Sequence, residues 1–152
     1  MKNVHEEHPF NHRLDNLQAA ILRIKLKYLD EWIASRRKLA EVYNTLLANT
    51  IVERPVDLPG YQHVYHLYVI RTQNRDAMQA ALKERGIGTA VHYPTPVHLQ
   101  PYYLKDGKPQ YSCPVSEKLV GEILSLPMYP ELTEDQVSAV ASEVKSLEVK
   151  AH

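Results

Sequence analysis

Apolar side chains recur every three or four residues along the first third of the chain, which is the spacing of one face of an α-helix. The stripe consists of Leu14, Leu17, Ile21, Ile24 and Tyr28, followed by Trp32, Leu39, Tyr43 and Leu46. It predicts one long helix over residues 16–47. Such a helix spans on the order of 45 Å, so we expect it either to kink or to reach beyond its own core.

The remainder of the chain alternates between strand-like and helix-like patterns. Residues 63–71, 87–93 and 124–128 are short runs rich in β-branched, apolar or aromatic side chains and predict strands. Residues 76–85, 114–123 and 133–147 predict helices. This order predicts an α+β fold in a single domain over residues 1–152, with the long helix at 10–50 and a three-stranded sheet covered by helices at 51–150.

Three residue pairs have the spacing of a capping box, in which the side chains at a helix start satisfy its first N–H groups. The pairs are Asp15 with Gln18, Asp76 with Gln79, and Thr133 with Gln136. Gly86 follows the second predicted helix, where a glycine commonly ends a helix. We therefore expect helices to begin at these three places.

The composition is that of an ordinary globular domain, with 44% hydrophobic and 24% charged residues among 152. Eighteen basic residues balance eighteen acidic ones, which argues against a nucleic-acid partner. No run approaches the roughly 20 apolar residues of a membrane helix. The single cysteine, Cys113, cannot form an internal disulfide, so we expect a reducing, cytoplasmic location.

A stiff polar loop is predicted between residues 92 and 103. This stretch holds three prolines, two histidines and three tyrosines, and proline excludes both a helix interior and a central strand. Imidazole, phenol and amide groups on such a loop can hydrogen-bond phosphate or sugar oxygens. The alternative is a structural loop whose tyrosines pack on the sheet, and spacing alone leaves both open.

A second dense segment, residues 11–20, places an asparagine, a histidine and an arginine just before the long helix. A helix N-terminus favours anions, although ordinary capping with solvated charges explains the same residues. The eight histidines show no ligand spacing with cysteine or carboxylate, so we expect no metal site. Cys113 precedes Pro114 at a helix start and is interpreted as a packed or capping residue.

Five motifs in one order give the chain a resemblance to a known family. They are N-x-R-L-D-x-L-Q-A-A-I-L, L-D-x-W with R-R, Y-H-L-Y-V-I-R, G-I-G-T-x-x-H-Y-P-x-P-x-H-x-Q-P-x-Y, and L-S-L-P-M-Y-P-E-L-T-x-x-Q. The resemblance covers nearly the whole chain, from about residue 10 to residue 147. The chain closely resembles the DegT/DnrJ/StrS family of sugar aminotransferases.

The resemblance implies the small C-terminal domain of a fold-type I aminotransferase. The family uses pyridoxal phosphate to move an amino group from an amino acid, usually glutamate, onto a keto group of a nucleotide-linked sugar. The large domain that carries the Schiff-base lysine has no counterpart in these motifs. We therefore expect no catalytic residue and no bound cofactor in this chain alone, which should be inactive by itself.

The same resemblance implies roles for individual residues. Asn11 matches an asparagine that reaches the cofactor phosphate of the partner subunit in a dimer, and Arg13 lies in the same shared site. His92 and Tyr93 match a pair that contacts the nucleotide-sugar. His98 and Gln100 match positions of the same loop and are expected to bind substrate.

Two other interpretations stay open at this point. The chain could be a free-standing, non-catalytic module that binds a sugar nucleotide or another protein. It could also be one half of a split aminotransferase that pairs with a separately encoded large domain. In either case we expect it to form a homo-oligomer or to bind the missing domain.

Overall fold

The computed structural model describes residues 14–149. The chain divides into two compact units, residues 1–32 and 33–152, which are described one after the other. None of the helices described within residues 14–149 is long and apolar enough to cross a membrane. The helices are α1 (Asn16–Lys25), α2 (Leu29–Leu46), α3 (Arg75–Glu84), α4 (Pro114–Leu119) and α5 (Glu134–Val149).

The first unit is helical and leaves its apolar side chains exposed. Asp15 caps α1, and its carboxylate accepts a hydrogen bond of 2.8 Å from the Leu17 N–H, so the Asp15 half of the predicted capping pair is confirmed. A tight 3₁₀ turn, Leu26–Tyr28, follows α1. The Leu17 side chain is 71% exposed, and the other apolar residues of this stripe up to Leu29 are exposed as well.

The second unit is built on a small antiparallel sheet. β1 (Tyr68–Arg71) pairs with β4 (Ile123–Leu126), with Tyr68 opposite Leu126. Single bridges extend the sheet on both sides, from Glu53 to β1 and from Ala90 to β4. Four segments of chain therefore lie side by side, although only the two central ones are regular strands.

The helices of the second unit cover this sheet and form one core. The largest fully buried side chains come from α2, the segment after it, both central strands, α3 and α5: Tyr43, Leu47, Tyr68, Ile70, Leu82, Leu124, Val137 and Val144. The rings of two buried tyrosines, Tyr43 and Tyr68, stack with their centroids 4.6 Å apart. Their hydroxyls are satisfied, since Tyr43 donates to the Pro127 carbonyl and Tyr68 to the Asn44 side chain.

The predicted strand at 63–71 is shorter than expected, because its first half is a turn. Tyr65 has a φ of 48°, which no strand residue adopts. Its N–H donates to Nδ1 of His63 at 2.8 Å, and its carbonyl accepts a hydrogen bond from Arg36 of α2. These bonds satisfy the backbone locally, so pairing with β4 starts only at Tyr68.

The predicted third strand, 87–93, is wrong as a regular element. Only Ala90 pairs with β4, through two backbone hydrogen bonds with Ser125 of 2.8 and 3.2 Å. Gly86 and Pro94 bound the segment and Gly88 lies within it, and a proline cannot donate to a ladder. The predicted three-stranded sheet is thus two strands flanked by two bridges.

Two helix starts test the other capping predictions. The pair at α5 is confirmed, because the Thr133 N–H donates to Gln136 Oε1 and the Gln136 N–H donates to Thr133 Oγ1. The pair at α3 is wrong, because the cap position is Asn74 and Asp76 already lies in the first turn. Gly86 follows α3 with a φ of 76°, as predicted for a glycine that ends a helix.

Truncation of a core residue of the sheet tests this architecture. Leu124→Ala should lower the free energy of unfolding by about 2–5 kcal/mol, because it leaves a cavity in a fully buried site. The matched change Leu58→Ala removes an exposed side chain and should cost less than about 0.5 kcal/mol. Urea unfolding followed by circular dichroism measures both; equal losses would contradict the assigned core.

Candidate functional site

The His92 side chain is anchored on the sheet. Its segment leaves β4 at the Ala90 bridge, and two residues later the ring turns back so that Nδ1 lies 2.9 Å from the Ser125 hydroxyl. Ser125 is buried in the centre of β4, whereas His92 is half-buried. The sheet therefore determines where the imidazole lies, and it leaves Nε2 without a partner among residues 14–149.

Tyr93 projects outward beside His92. The peptide bond between them is cis, and their rings meet edge to face with centroids 5.5 Å apart. The Tyr93 ring is 73% exposed, and its hydroxyl has no partner among the described residues. Two side chains with free polar atoms thus stand next to each other at the rim of the sheet.

An open pocket of about 480 Å³ lies beside these two side chains. Its walls come from the residues after Ala90, from the turn before α4, and from α4 and β4: His92, Tyr93, Thr95, Pro96, Val97, His98, Tyr111, Cys113, Ser116, Val120 and Ile123. Aromatic and aliphatic walls with a few polar groups are typical of ligand pockets.

His98 lines the same pocket but is held differently. It is only 7% exposed, and its Nε2 lies 2.9 Å from a carboxylate oxygen of Glu117. Its ring also stacks on Tyr111. Gln100 is exposed, donates to the Thr95 carbonyl at 3.4 Å and does not line the pocket.

Glu117 of α4 holds the loop between residues 98 and 113 to the helix. One carboxylate oxygen meets the His98 ring, the Ser112 hydroxyl and the Cys113 N–H at 2.9, 3.2 and 2.7 Å. These hydrogen bonds, that of His98 first, hold the pKa of Glu117 below its usual value near 4.5. Inside this loop, β2 (Leu104–Lys105) and β3 (Lys108–Pro109) form a short hairpin.

Of the predicted site residues, His92, Tyr93 and His98 come together on one pocket, while Gln100 stands apart. Asn11 and Arg13 lie outside the described residues. No group of three or more His, Cys, Asp or Glu side chains is placed to hold a metal ion within residues 14–149. The binding roles of all six residues stay predictions.

Sequence reasoning missed two residues that support the site. Glu117 follows Cys113 by four residues, and a carboxylate in the first turn of a helix is a recognisable capping signal. Ser125 is a single hydroxyl within the apolar run Leu124 to Leu126, and only the tertiary pairing shows that it meets His92. The hairpin could also have been predicted, since Asp106-Gly107 is a strong two-residue turn signal.

Comparison with known proteins decides the family. The profile of the DegT/DnrJ/EryC1/StrS aminotransferase family matches residues 1–145. The chain belongs to this family. The match begins before the described residues and includes both the long helical segment and the His92–Tyr93 loop.

Relatives within this aminotransferase family are longer than the chain. The erythromycin biosynthesis sensory transduction protein EryC1 of Saccharopolyspora erythraea is 45% identical over 95% of the chain and 40% of its own length. A dTDP-3-amino-3,4,6-trideoxy-alpha-D-glucose transaminase of Streptomyces venezuelae is 41% identical over 95% of the chain and 38% of its own length. The chain therefore spans about 40% of the curated relatives that it matches.

A solved structure similar to the chain has the same fold over the part that it matches. S. venezuelae DesV, crystallised in complex with a ketimine intermediate, superposes with a TM-score of 0.87 at 40% identity. The superposition covers 97% of this chain and 40% of DesV. The helices and small sheets described above thus match the architecture of about 40% of that structure.

Glu117→Gln tests whether this carboxylate holds the loop. The amide keeps the size but loses the charge that strengthens three hydrogen bonds, so amide hydrogen exchange at residues 98–113 should become faster. Glu131→Gln, an exposed residue outside the loop, is the matched control and should change nothing there.

The lowered pKa of Glu117 also predicts how its stabilising effect depends on pH. A folded-state pKa below the unfolded one stabilises the protein above the unfolded pKa, and this stabilisation is lost as the pH falls through the folded pKa. His98 is the titratable group that faces this carboxylate. The difference in free energy of unfolding between wild type and Glu117→Gln should therefore be present just above the unfolded pKa of a glutamate and shrink as the pH falls through the lower, folded pKa. A difference that grows over that fall would contradict the lowered pKa.

Proposed function

We propose that this chain is the C-terminal part of a pyridoxal-phosphate-dependent nucleotide-sugar aminotransferase of fold-type I, and that it supplies one wall of the substrate site. The observation that carries the proposal is the pairing of His92 and Tyr93 at the mouth of the pocket, each with a free polar atom. An imidazole nitrogen and a phenol hydroxyl suit the oxygens of a diphosphate or a sugar.

The substrate class follows from the relatives together with this pocket. The S. venezuelae transaminase is named for a dTDP-linked amino sugar, so we assign a nucleotide-linked keto sugar to the pocket and an amino acid, glutamate first, to the donor role. His98 contributes to the pocket wall while paired with Glu117, and Gln100 stiffens the loop through the Thr95 carbonyl. The single cysteine supports a cytoplasmic setting.

The described residues do not by themselves fit pyridoxal phosphate. Every lysine between residues 14 and 149 is exposed, and none lines the pocket beside His92. A Schiff-base lysine needs a shielded site that lowers its pKa. When bound in the complete enzyme, the cofactor supplies the electron sink for amino transfer; in the proposal Asn11 and Arg13 serve its phosphate in the partner subunit.

A second candidate is that the chain serves as one half of a split aminotransferase. The exposed apolar surface of the first unit supports this candidate. Its helix carries an apolar stripe of exposed side chains, including Leu17, Ile21 and Ile24. Exposed apolar surface of this kind commonly marks a contact with another domain or protein. In this candidate the contact is with a separately encoded large domain.

Calorimetric titration with dTDP-glucose tests whether His92 and Tyr93 bind a nucleotide-linked sugar. Tyr93→Phe and His92→Gln should each weaken binding about three- to tenfold, the loss of one hydrogen bond. Tyr102→Phe and His66→Gln make the same chemical changes at exposed positions outside the pocket and should bind like wild type. Equal weakening by all four variants would contradict the assigned site.

A transaminase assay tests whether this chain needs the large domain for turnover. With glutamate, pyridoxal phosphate and a keto sugar nucleotide, the chain alone should release no 2-oxoglutarate, because its described lysines are all exposed. Turnover by the chain alone would contradict the proposal. Turnover that appears only when a large-domain chain is added would select the split enzyme.

A further inference from the structure

The Ser125 hydroxyl is a buried group with one partner. Ser125 is 5% exposed, and within residues 14–149 the polar atom at hydrogen-bond distance from its Oγ is Nδ1 of His92, at 2.9 Å. Its backbone is fixed on both sides, by Val69 in β1 and by the two hydrogen bonds with Ala90. The hydroxyl therefore has a fixed position from which to direct the ring.

The proton of this hydroxyl decides how the ring is protonated. A buried O–H that donates to nothing costs free energy, so the proton should have an acceptor. The acceptor that the described residues offer is Nδ1, which can accept only when it carries no hydrogen. The reverse arrangement, in which Nδ1–H donates to Oγ, would leave the serine proton buried without a partner.

We propose that Ser125 is a positioning residue, which holds His92 in the tautomer that is protonated on Nε2. Nδ1 then accepts the hydrogen bond from Ser125 of the sheet, and Nε2–H is a fixed donor on a ring that lines the pocket. That this donor meets a nucleotide-sugar rests on the proposed function. The tautomer itself follows from the Ser125 contact and does not depend on any ligand.

The tautomer has a chemical consequence for the ligand. An N–H donor pairs with an acceptor such as a phosphate, hydroxyl or carbonyl oxygen, and it repels an ammonium group, which has no acceptor. The adjacent Tyr93 hydroxyl can both donate and accept. His92 would thus select the oxygen-bearing part of a ligand, and the fixed ring avoids an entropic cost on binding.

Nitrogen-15 NMR of the histidine rings tests this in the full chain without ligand. His92 is assigned by the resonances that disappear in His92→Gln. In wild type at a pH where the ring is neutral, Nε2 should show the shift of a protonated nitrogen and Nδ1 that of a bare, hydrogen-bonded one. A protonated Nδ1, or a rapidly averaging ring, would overturn the proposal.

Variants separate positioning from general stability. Ser125→Ala should shift both His92 nitrogens toward averaged values, and Ser125→Thr, which keeps the hydroxyl, should restore the wild-type pattern. Ser116→Ala is the matched control, since Ser116 lines the same pocket but is exposed and makes no side-chain bond to His92. An unchanged tautomer in Ser125→Ala would overturn the role of the hydroxyl.

A ligand titration distinguishes this proposal from the proposed function. With dTDP-glucose, Ser125→Ala should bind about two- to fivefold more weakly than wild type, because the donor is no longer pre-oriented. If wild type shows the predicted tautomer but no saturable binding, the assigned substrate is wrong and the tautomer stands. If wild type binds and Ser125→Ala binds equally well, the positioning role is wrong.

Discussion

The backbone pair between Ala90 and Ser125 is the constraint on which the candidate site depends. It is a single bridge on one side of a two-stranded sheet, yet it fixes the point where residues 91–97 leave the core. Because Ser125 also presents its hydroxyl to His92, one residue of β4 holds both the backbone and the imidazole of the segment. The position of Tyr93 follows from that of its neighbour.

A second anchor holds the far end of the same loop. One carboxylate oxygen of Glu117 is hydrogen-bonded to the His98 ring, the Ser112 hydroxyl and the Cys113 N–H. The chain therefore enters α4 at a defined place. The pocket lies between these two anchors. Neither anchor is an apolar contact, which explains why a loop with so many exposed tyrosines can still have a defined shape.

The helices were largely predictable from sequence, since apolar periodicity and the Thr133 and Asp15 caps are local signals. The strands were less so, because pairing depends on distant residues: Tyr65 turns where a strand was predicted, and residues 87–93 contribute a single pair. For the site, the proline-rich loop and the family motifs pointed to His92, Tyr93 and His98. Ser125 could not be found this way, because its partner lies 33 residues away.

We propose that the face beside the Ala90–Ser125 bridge holds a nucleotide-linked sugar. The most direct measurement is a map of amide chemical shifts while the nitrogen-15-labelled chain is titrated with dTDP-glucose. Binding at this face should give saturable shifts concentrated at residues 90–98, Tyr111 and Ser125, with residues 14–32 and 76–84 unchanged. Saturable shifts confined to those other regions, or no saturation at millimolar ligand, would contradict it.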